Sequence, residues 1–392
     1  MRLRQPTATA KVHDASHFCE LGDPVNSVRM GLSVLLLLVL PAGAQDKRQQ
    51  DRQMVLLAVH RAGKVEVFDP ATLVPLGSIH VLPMADGISH SPDGTILYIP
   101  EGTPPDFRVC CSLYALDLET MRMSPVAEPA SGATISPDGS YVVTQRGAIG
   151  VEIYGSRTLV RESRISESIA PGAYQLSFSP DGRLLFGISD WKGPMLDIFD
   201  FASRKLVRRY RVDANWPLNG AWVQGKFYLY AHRGPEGKIW KVDVESPVLA
   251  APVTVDFPDV DSRCEIHDET VLGAGNQLFV YELFGMKGDR RGACKSSIPG
   301  GVLSVDPETG RVLRRLAESV HCNSIVASPD GQQLYGIDAR HANWDSVGLI
   351  RLDAHTGRIL AQRDLAPDVW FIDLAPLPHN LVPHSDLEVT LN

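Results

Sequence analysis

Short hydrophobic runs separated by turn signals recur along most of this chain. Runs such as 65–69 (Val-Glu-Val-Phe-Asp) and 95–98 (Thr-Ile-Leu-Tyr) are rich in β-branched, aromatic and aliphatic residues, which favour extended strands. The tetrapeptide Ser-Pro-Asp-Gly lies between two such runs at residues 91–94, 136–139, 179–182 and 328–331. The pattern predicts an all-β protein made of short strands joined by tight turns.

The Ser-Pro-Asp-Gly turns recur at a nearly constant period. The first three copies follow one another about every 40–50 residues, and the fourth comes about three such periods later. Two degenerate copies fill that gap, at Gln224-Gly225 and at residues 273–276. One β-turn per repeat of this length is typical of a propeller blade. A closed ring of such repeats forms one domain, even in a chain of 392 residues.

Aligned on this turn, the chain divides into seven units. Unit one has outer strands at 55–60, 64–69 and 74–81 but no innermost strand of its own. Because residues 370–376 match the innermost strands of the other units, we expect them to complete the first blade, since closure removes exposed sheet edges. The predicted fold is a seven-bladed β-propeller over 54–378, closed by the C-terminal strand. Units two to seven span 86–127, 131–165, 174–212, 219–257, 267–317 and 323–365.

Two turn chemistries repeat for structural reasons. In Ser-Pro-Asp-Gly, proline presets φ and glycine supplies the positive φ that a hairpin bulge needs. Further along each unit comes an Asp-x-x-Thr turn, in which the aspartate and threonine side chains bind nearby backbone groups. We interpret both motifs as structural and not catalytic, because they recur too regularly. The Asp-x-x-Thr turns begin at Asp69, Asp117, Asp306 and Asp353.

These repeats resemble the YVTN-type seven-bladed propellers. The resemblance covers residues 54–378 and is carried by the four Ser-Pro-Asp-Gly turns with following runs such as 95–98 and 333–337. The same superfamily includes amine dehydrogenase heavy chains and lactonase-like propellers. The resemblance therefore implies the architecture strongly and the function weakly, because propellers support many activities.

The net charge and the N-terminal pattern indicate which kinds of partner and which cellular compartment to expect. With 38 basic and 46 acidic residues, a net charge of −8 and no basic stripe, we expect no nucleic-acid partner.

The apolar run 32–40 is about ten residues long, too short to span a bilayer, and a small-residue site ending at Ala44 follows it. We expect a leader and signal peptide at 1–44, a linker at 45–53 and a tail at 379–392, with Met30 as a candidate true start. The mature protein would be periplasmic or secreted, without a stable membrane anchor.

Strand order predicts which face of the ring binds ligands. Each innermost strand starts on one face and ends at its Ser-Pro-Asp-Gly turn on the other, which we name the turn face. The opposite loop face collects the long, variable loops, where binding residues usually lie. One residue per blade enters the channel there, and we expect these residues to bind a small polar ligand, although such a mouth can also simply hold water. They are Trp370, Asp86, Ser131, Tyr174, Asn219, His267 and Asn323.

Five cysteines remain after the leader, an odd number for an oxidising compartment. We expect disulfides and one free thiol. Cys264–Cys294 is the first pairing considered and Cys294–Cys322 the second. Adjacent Cys110 and Cys111 can form a vicinal disulfide that makes their loop rigid.

A metal site with soft ligands is the alternative for some of these cysteines. Cys264 and His267 are three residues apart, and His321-Cys322 enters from the next blade, a nitrogen and sulfur set that suits zinc or copper. However, these residues form no compact spaced motif, and exported thiols usually oxidise. We therefore expect no metal and no cofactor.

The sequence contains no Gly-x-Ser-x-Gly elbow and no His-Glu-x-x-His pair. The leading hypothesis is an exported binding or scaffold protein that presents its loop face to a small ligand or a protein partner. One alternative is a lactonase-like hydrolase that uses Asp86, His267 and Glu269 in the channel. Another is a subunit resembling an amine dehydrogenase heavy chain, whose quinone would arrive on a second, cysteine-rich chain. No catalytic residue is assigned.

Overall fold

The strands form seven sheets arranged as the blades of a propeller, as the repeats predict. The structure is a computed structural model. It describes residues 52–83, 87–101, 112–127, 130–145, 150–165, 173–189, 193–214, 218–233, 236–256, 270–281, 301–320, 322–339 and 347–391.

Blades one and two have five strands each, and their order runs from the channel outwards. Blade one contains β28 (Val369–Pro378), β1 (Arg52–His60), β2 (Lys64–Phe68), β3 (Pro75–His80) and β29 (Asp386–Glu388). Blade two contains β4 (Ser89–His90), β5 (Ile96–Pro100), β6 (Leu113–Asp117), β7 (Arg122–Ala127) and β30 (Thr390–Leu391).

Blades three to seven have four antiparallel strands each, in chain order from the channel outwards. Blade three contains β8 (Ser131–Ile135), β9 (Tyr141–Gln145), β10 (Val151–Gly155) and β11 (Arg161–Ile165). Blade four contains β12 (Ala173–Phe178), β13 (Leu184–Ser189), β14 (Met195–Asp200) and β15 (Lys205–Arg211). Blade five contains β16 (Leu218–Val223), β17 (Lys226–Arg233), β18 (Glu236–Val242) and β19 (Val253–Asp256). Blade six contains β20 (Thr270–Ala274), β21 (Gln277–Tyr281), β22 (Val302–Val305) and β23 (Val312–Leu316). Blade seven contains β24 (Cys322–Ala327), β25 (Gln333–Ala339), β26 (Val347–Asp353) and β27 (Ile359–Leu365).

The ring closes where the C-terminal β28 pairs with β1. The two strands are antiparallel, with Arg52 opposite Pro378 at one end and His60 opposite Val369 at the other. Both carry buried aliphatic side chains, including Leu57 and Leu377, which are 0 % exposed. The prediction that the C-terminal strand completes the first blade is therefore confirmed.

The residues after β28 reinforce this closure on the outside of the ring. After a 3₁₀ turn at His379–Leu381, β29 adds to β3 and β30 adds to β7, both in parallel. The Ser78 hydroxyl donates a hydrogen bond to Asp386 Oδ1 at 2.6 Å. A Cβ at Gly77 would lie 2.6 Å from the Ser385 carbonyl oxygen, so only glycine permits this close approach. The tail thus binds the outer edges of two neighbouring blades.

The Ser-Pro-Asp-Gly turns have the geometry that their sequence predicts. In the first, the Ser91 hydroxyl donates to Asp93 Oδ1 at 2.6 Å, and Gly94, with φ of 69°, donates its N–H to the Ser91 carbonyl. The other three turns repeat these two bonds. The glycine has a second role, because a Cβ at Gly94 would overlap the Pro376 carbonyl oxygen on the neighbouring blade.

The Asp-x-x-Thr turns are also confirmed as structural. Asp69 Oδ1 accepts hydrogen bonds from the N–H groups of Ala71 and Thr72, both at 2.8 Å. Asp117 and Asp353 accept equivalent pairs of backbone bonds. These carboxylates hold their own turns, so they contribute to the fold and not to a site.

The apolar core lies between neighbouring blades, and buried carboxylates are paired there. Glu152 on β10 is 0 % exposed, receives Arg161 at 3.0 Å and Arg164 at 2.7 Å, and accepts the Tyr154 hydroxyl at 2.6 Å. Such pairing offsets the cost of burying charge. In the described part of the chain, no helix has the length and apolarity needed to cross a membrane.

Replacing Gly94 with alanine tests the inter-blade contact of the turn. We expect Gly94→Ala to lower the free energy of unfolding by about 3 kcal/mol, because it combines a strained φ with overlap on Pro376. Gly225→Ala is the matched control, since Gly225 also has a positive φ of 75° but nothing within 4 Å of its Cβ position. It should cost only about 1 kcal/mol. Urea unfolding of both variants measures the difference, and equal losses would contradict a role for the contact.

Candidate functional site

The innermost strands begin at the mouth of the channel on the loop face. Five residues predicted to line this mouth stand at the first or second position of an innermost strand. They are Ser131 on β8, Tyr174 on β12, Asn219 on β16, Asn323 on β24 and Trp370 on β28. Their ligand-binding role stays a prediction.

The remaining mouth residues and most of the long loops lie outside the described residues. This applies to Asp86, His267 and Glu269, and to the side chains of Ser131, Tyr174 and Asn323. Asn219 is half-buried, and its backbone is opposite Tyr230. The described part of the mouth therefore centres on Trp370.

The guanidinium of Arg61 lies over the ring of Trp370. Its side chain is 38 % exposed, and the Arg61 guanidinium lies 3.7 Å from the centre of its ring. The Arg61 N–H also donates to the Asp368 carbonyl at 3.1 Å, which fixes the backbone from which the guanidinium projects. A guanidinium over an indole face is attracted by the ring quadrupole, and its N–H donors can still reach other acceptors.

His60, which precedes Arg61 in the chain, joins two carboxylates. Its Nδ1 is 2.7 Å from Asp368 Oδ1, and its Nε2 is 3.1 Å from Glu66 Oε2. Lys64 donates to the other Glu66 oxygen at 2.7 Å. The imidazole is buried, with the residue 3 % exposed. Because both ring nitrogens face carboxylate oxygens, the arrangement favours the doubly protonated ring.

The protonation preferences of this network follow from its contacts. Burial alone would lower the pKa of His60, but the hydrogen bonds to Glu66 and Asp368 outweigh it and raise the pKa above its usual value. The hydrogen bond from His60, with help from Lys64, lowers the pKa of Glu66 to about 2 against the opposing effect of burial. Both shifts favour the charged forms, so His60 and Glu66 form an ion pair in mildly acidic solution.

Cys322 is a buried free thiol at the start of β24. It is 2 % exposed, and burial raises the pKa of the thiol, with Asp338 adding to the rise. Such a thiol stays protonated and resembles a small apolar side chain more than a metal ligand or nucleophile. Cys110, Cys111, Cys264 and Cys294 lie outside the described residues, so their pairing stays a prediction.

Within the residues that the structure describes, no group of three or more His, Cys, Asp and Glu side chains could hold a metal ion. His321 and His267 lie outside that part of the chain.

The sequence pattern predicted Trp370 at the loop face but did not predict the two carboxylates that hold His60. Asp368 comes from the last turn before β28, whereas Glu66 lies on β2. The contact between His60 and Asp368 spans 308 positions along the chain. The signal that was available is the alternation in β2, where Lys64 and Glu66 point to the same side as the polar end of β1.

Comparison with known proteins supports the architecture. No family model and no curated protein matches this chain. Dihydro-heme d1 dehydrogenase NirN in complex with DHE aligns with a TM-score of 0.51 and 14% identity, over 84% of this chain and 76% of that chain. A quinoprotein alcohol dehydrogenase-like protein from Bacteroides thetaiotaomicron VPI-5482 aligns with a TM-score of 0.54 and 13% identity, over 82% of this chain and 77% of that one.

The chain is a seven-bladed β-propeller. Identities this low show the fold alone, and the resemblance to the YVTN type stays a prediction.

The network around His60 predicts a specific pH dependence. A raised folded-state pKa stabilises the protein fully below the unfolded value of about 6.5, and this contribution is lost as pH rises through the folded value. We expect His60→Gln to lower the free energy of unfolding by about 2 kcal/mol at pH 5.5, because it leaves two carboxylates without their partner. The deficit should shrink above the raised pKa.

Chemical unfolding of the wild-type protein and His60→Gln between pH 5 and pH 9 measures this effect. His384→Gln is the control, because His384 is exposed on the C-terminal segment. A deficit that stays constant with pH would show that His60 acts by packing and not by charge.

Proposed function

We propose that this protein is exported and acts as a binding or scaffold protein, which presents its loop face to a small ligand or a protein partner. The observation that carries the proposal is the Arg61 guanidinium stacked 3.7 Å above the half-exposed ring of Trp370 at the channel mouth. Exposed aromatic side chains beside arginine are typical of binding hot spots, because they supply apolar contact and a directional cation together.

The charges around this stack favour an acidic ligand group. Glu66 is paired with His60 and Lys64, and Asp368 is paired with His60. Among the described residues Arg61 forms no salt bridge, whereas the carboxylates next to it already have cationic partners. A ligand that places a carboxylate against Arg61 and a flat apolar group against Trp370 would therefore meet both features.

Aromatic carboxylates are suitable probes of this site. We expect phenylacetate and indole-3-acetate to bind the mature protein in calorimetric titration, and the neutral phenylacetamide to bind at least tenfold more weakly because it cannot pair with Arg61. Arg61→Gln and Trp370→Ala should each weaken carboxylate binding by about tenfold.

Val160→Ala is the control variant, because Val160 is 62 % exposed in the connection between β10 and β11, away from the channel. It should bind like the wild-type protein. Binding that is unaffected in Trp370→Ala, or equal affinity for the amide, would contradict the proposed site. Chemical conversion of the probe would contradict a purely binding role.

The proposal of export is based on the sequence pattern that precedes the propeller. We expect the protein purified from the exported fraction of its host to begin at Gln45, because the apolar run 32–40 and the site ending at Ala44 match a signal peptide. A charge within the run, as in Leu36→Arg, should block processing and retain the full chain inside the cell. N-terminal sequencing shows whether the leader has been removed, and an unprocessed wild-type chain would contradict export.

A further inference from the structure

A cleft opens into the channel near the turn face, at the opposite end from the Trp370 mouth. It has a volume of about 390 Å³ and lies between the innermost strands of blades one, two and three. A space of this size is at the lower end of the range typical of small-molecule sites. Its walls include Ile88, His90, Ile135, Pro137 and Asp373.

Two hydrogen-bonding groups face each other across this cleft. His90 Nε2 lies 3.8 Å from Asp373 Oδ2, which is too long for a direct hydrogen bond. Both side chains are accessible, with His90 23 % and Asp373 21 % exposed. A polar gap of this length is typical of a site that a bridging group fills.

The backbone contacts of these side chains define what can fill the gap. His90 Nδ1 lies 3.1 Å from the Ser91 carbonyl, which can only accept, so Nδ1 carries a hydrogen and Nε2 of the neutral ring is an acceptor. Asp373 Oδ1 accepts the N–H of Leu374 at 2.8 Å, which directs Oδ2 towards His90. When the ring is neutral and the carboxyl is ionised, two acceptors face each other, and a group with at least two N–H or O–H donors can join them.

The charge of the cleft indicates which kind of donor group it would bind. Among the described residues of its walls, Asp373 is the one acid, and neither lysine nor arginine is present. Burial raises the pKa of the Asp373 carboxyl, against the opposing effect of His90, which is the one side chain in the described walls that can carry a positive charge. A cation placed in the gap would restore the charge balance, whereas an anion would be repelled.

We propose that this cleft binds a small organic cation with several N–H donors, such as a primary ammonium carrying an apolar substituent. The ammonium donates to His90 Nε2 and to Asp373 Oδ2. The substituent packs against the apolar wall formed by Ile88, Ile135 and Pro137. This site is independent of the aromatic carboxylate site proposed at the channel mouth.

Benzylamine and the neutral benzyl alcohol are matched probes, because they share the ring and differ in the charge and number of donors. In calorimetric titration at pH 7 we expect benzylamine to bind at least tenfold more tightly than the alcohol. Asp373→Asn should weaken benzylamine binding at least tenfold, and His90→Phe should weaken it several-fold. Asp213→Asn removes the same charge at an exposed position outside the cleft and should leave binding unchanged.

Trp370→Ala separates the two sites, since it should weaken carboxylate binding by about tenfold and leave benzylamine binding unchanged. Thermal unfolding of each variant verifies that the fold is retained, and a crystal of the benzylamine complex locates the ammonium. Equal affinity for amine and alcohol would overturn the proposal, as would full affinity in folded Asp373→Asn or an ammonium bound away from His90. Binding of neither probe at millimolar concentration would also overturn it.

Discussion

The pairing of β28 with β1 is the interaction on which the rest of this structure depends. It joins the two ends of the propeller, so the first blade and the closed ring exist only when both ends are present. The entropic cost of closing a long loop grows only slowly with its length, so the buried apolar side chains among the nine opposed residue pairs outweigh it. Closure leaves no innermost strand of the described chain without a neighbouring blade, and it creates the channel between them.

Contacts at both ends of this pairing set its register. At the loop face, His60 on β1 binds Asp368 just before β28, and Arg61 lies over Trp370. At the turn face, the absence of a Cβ at Gly94 allows blade two to approach Pro376. Since a shift of one residue would turn every side chain to the opposite side, these contacts specify the register as well as stabilising it.

The same closing strand supplies one residue to each proposed site. Trp370 stands at the loop-face mouth beside a cation, whereas Asp373, three positions later, stands in the turn-face cleft without one among the described wall residues. The two ends of the channel consequently have opposite charge preferences in our proposals. One end favours an acidic ligand and the other a cationic one, because Trp370, with its arginine, and Asp373 are three residues apart on the strand, about 10 Å.

The sequence by itself determined the blade count, the turn chemistry and the closing strand, because these depend on local signals that repeat: alternation, Ser-Pro-Asp-Gly and Asp-x-x-Thr. It also placed Trp370 at the mouth by register. It did not predict that residues after Pro378 add strands to two blades, because their short runs carry no repeat signal. Only the tertiary structure brought Asp368 to His60 and Asp373 to His90, since each pair joins a residue in or just before the C-terminal strand to one roughly 300 positions earlier. Contacts between such distant residues depend on which side chains meet once the ring has closed, and no local pattern specifies that.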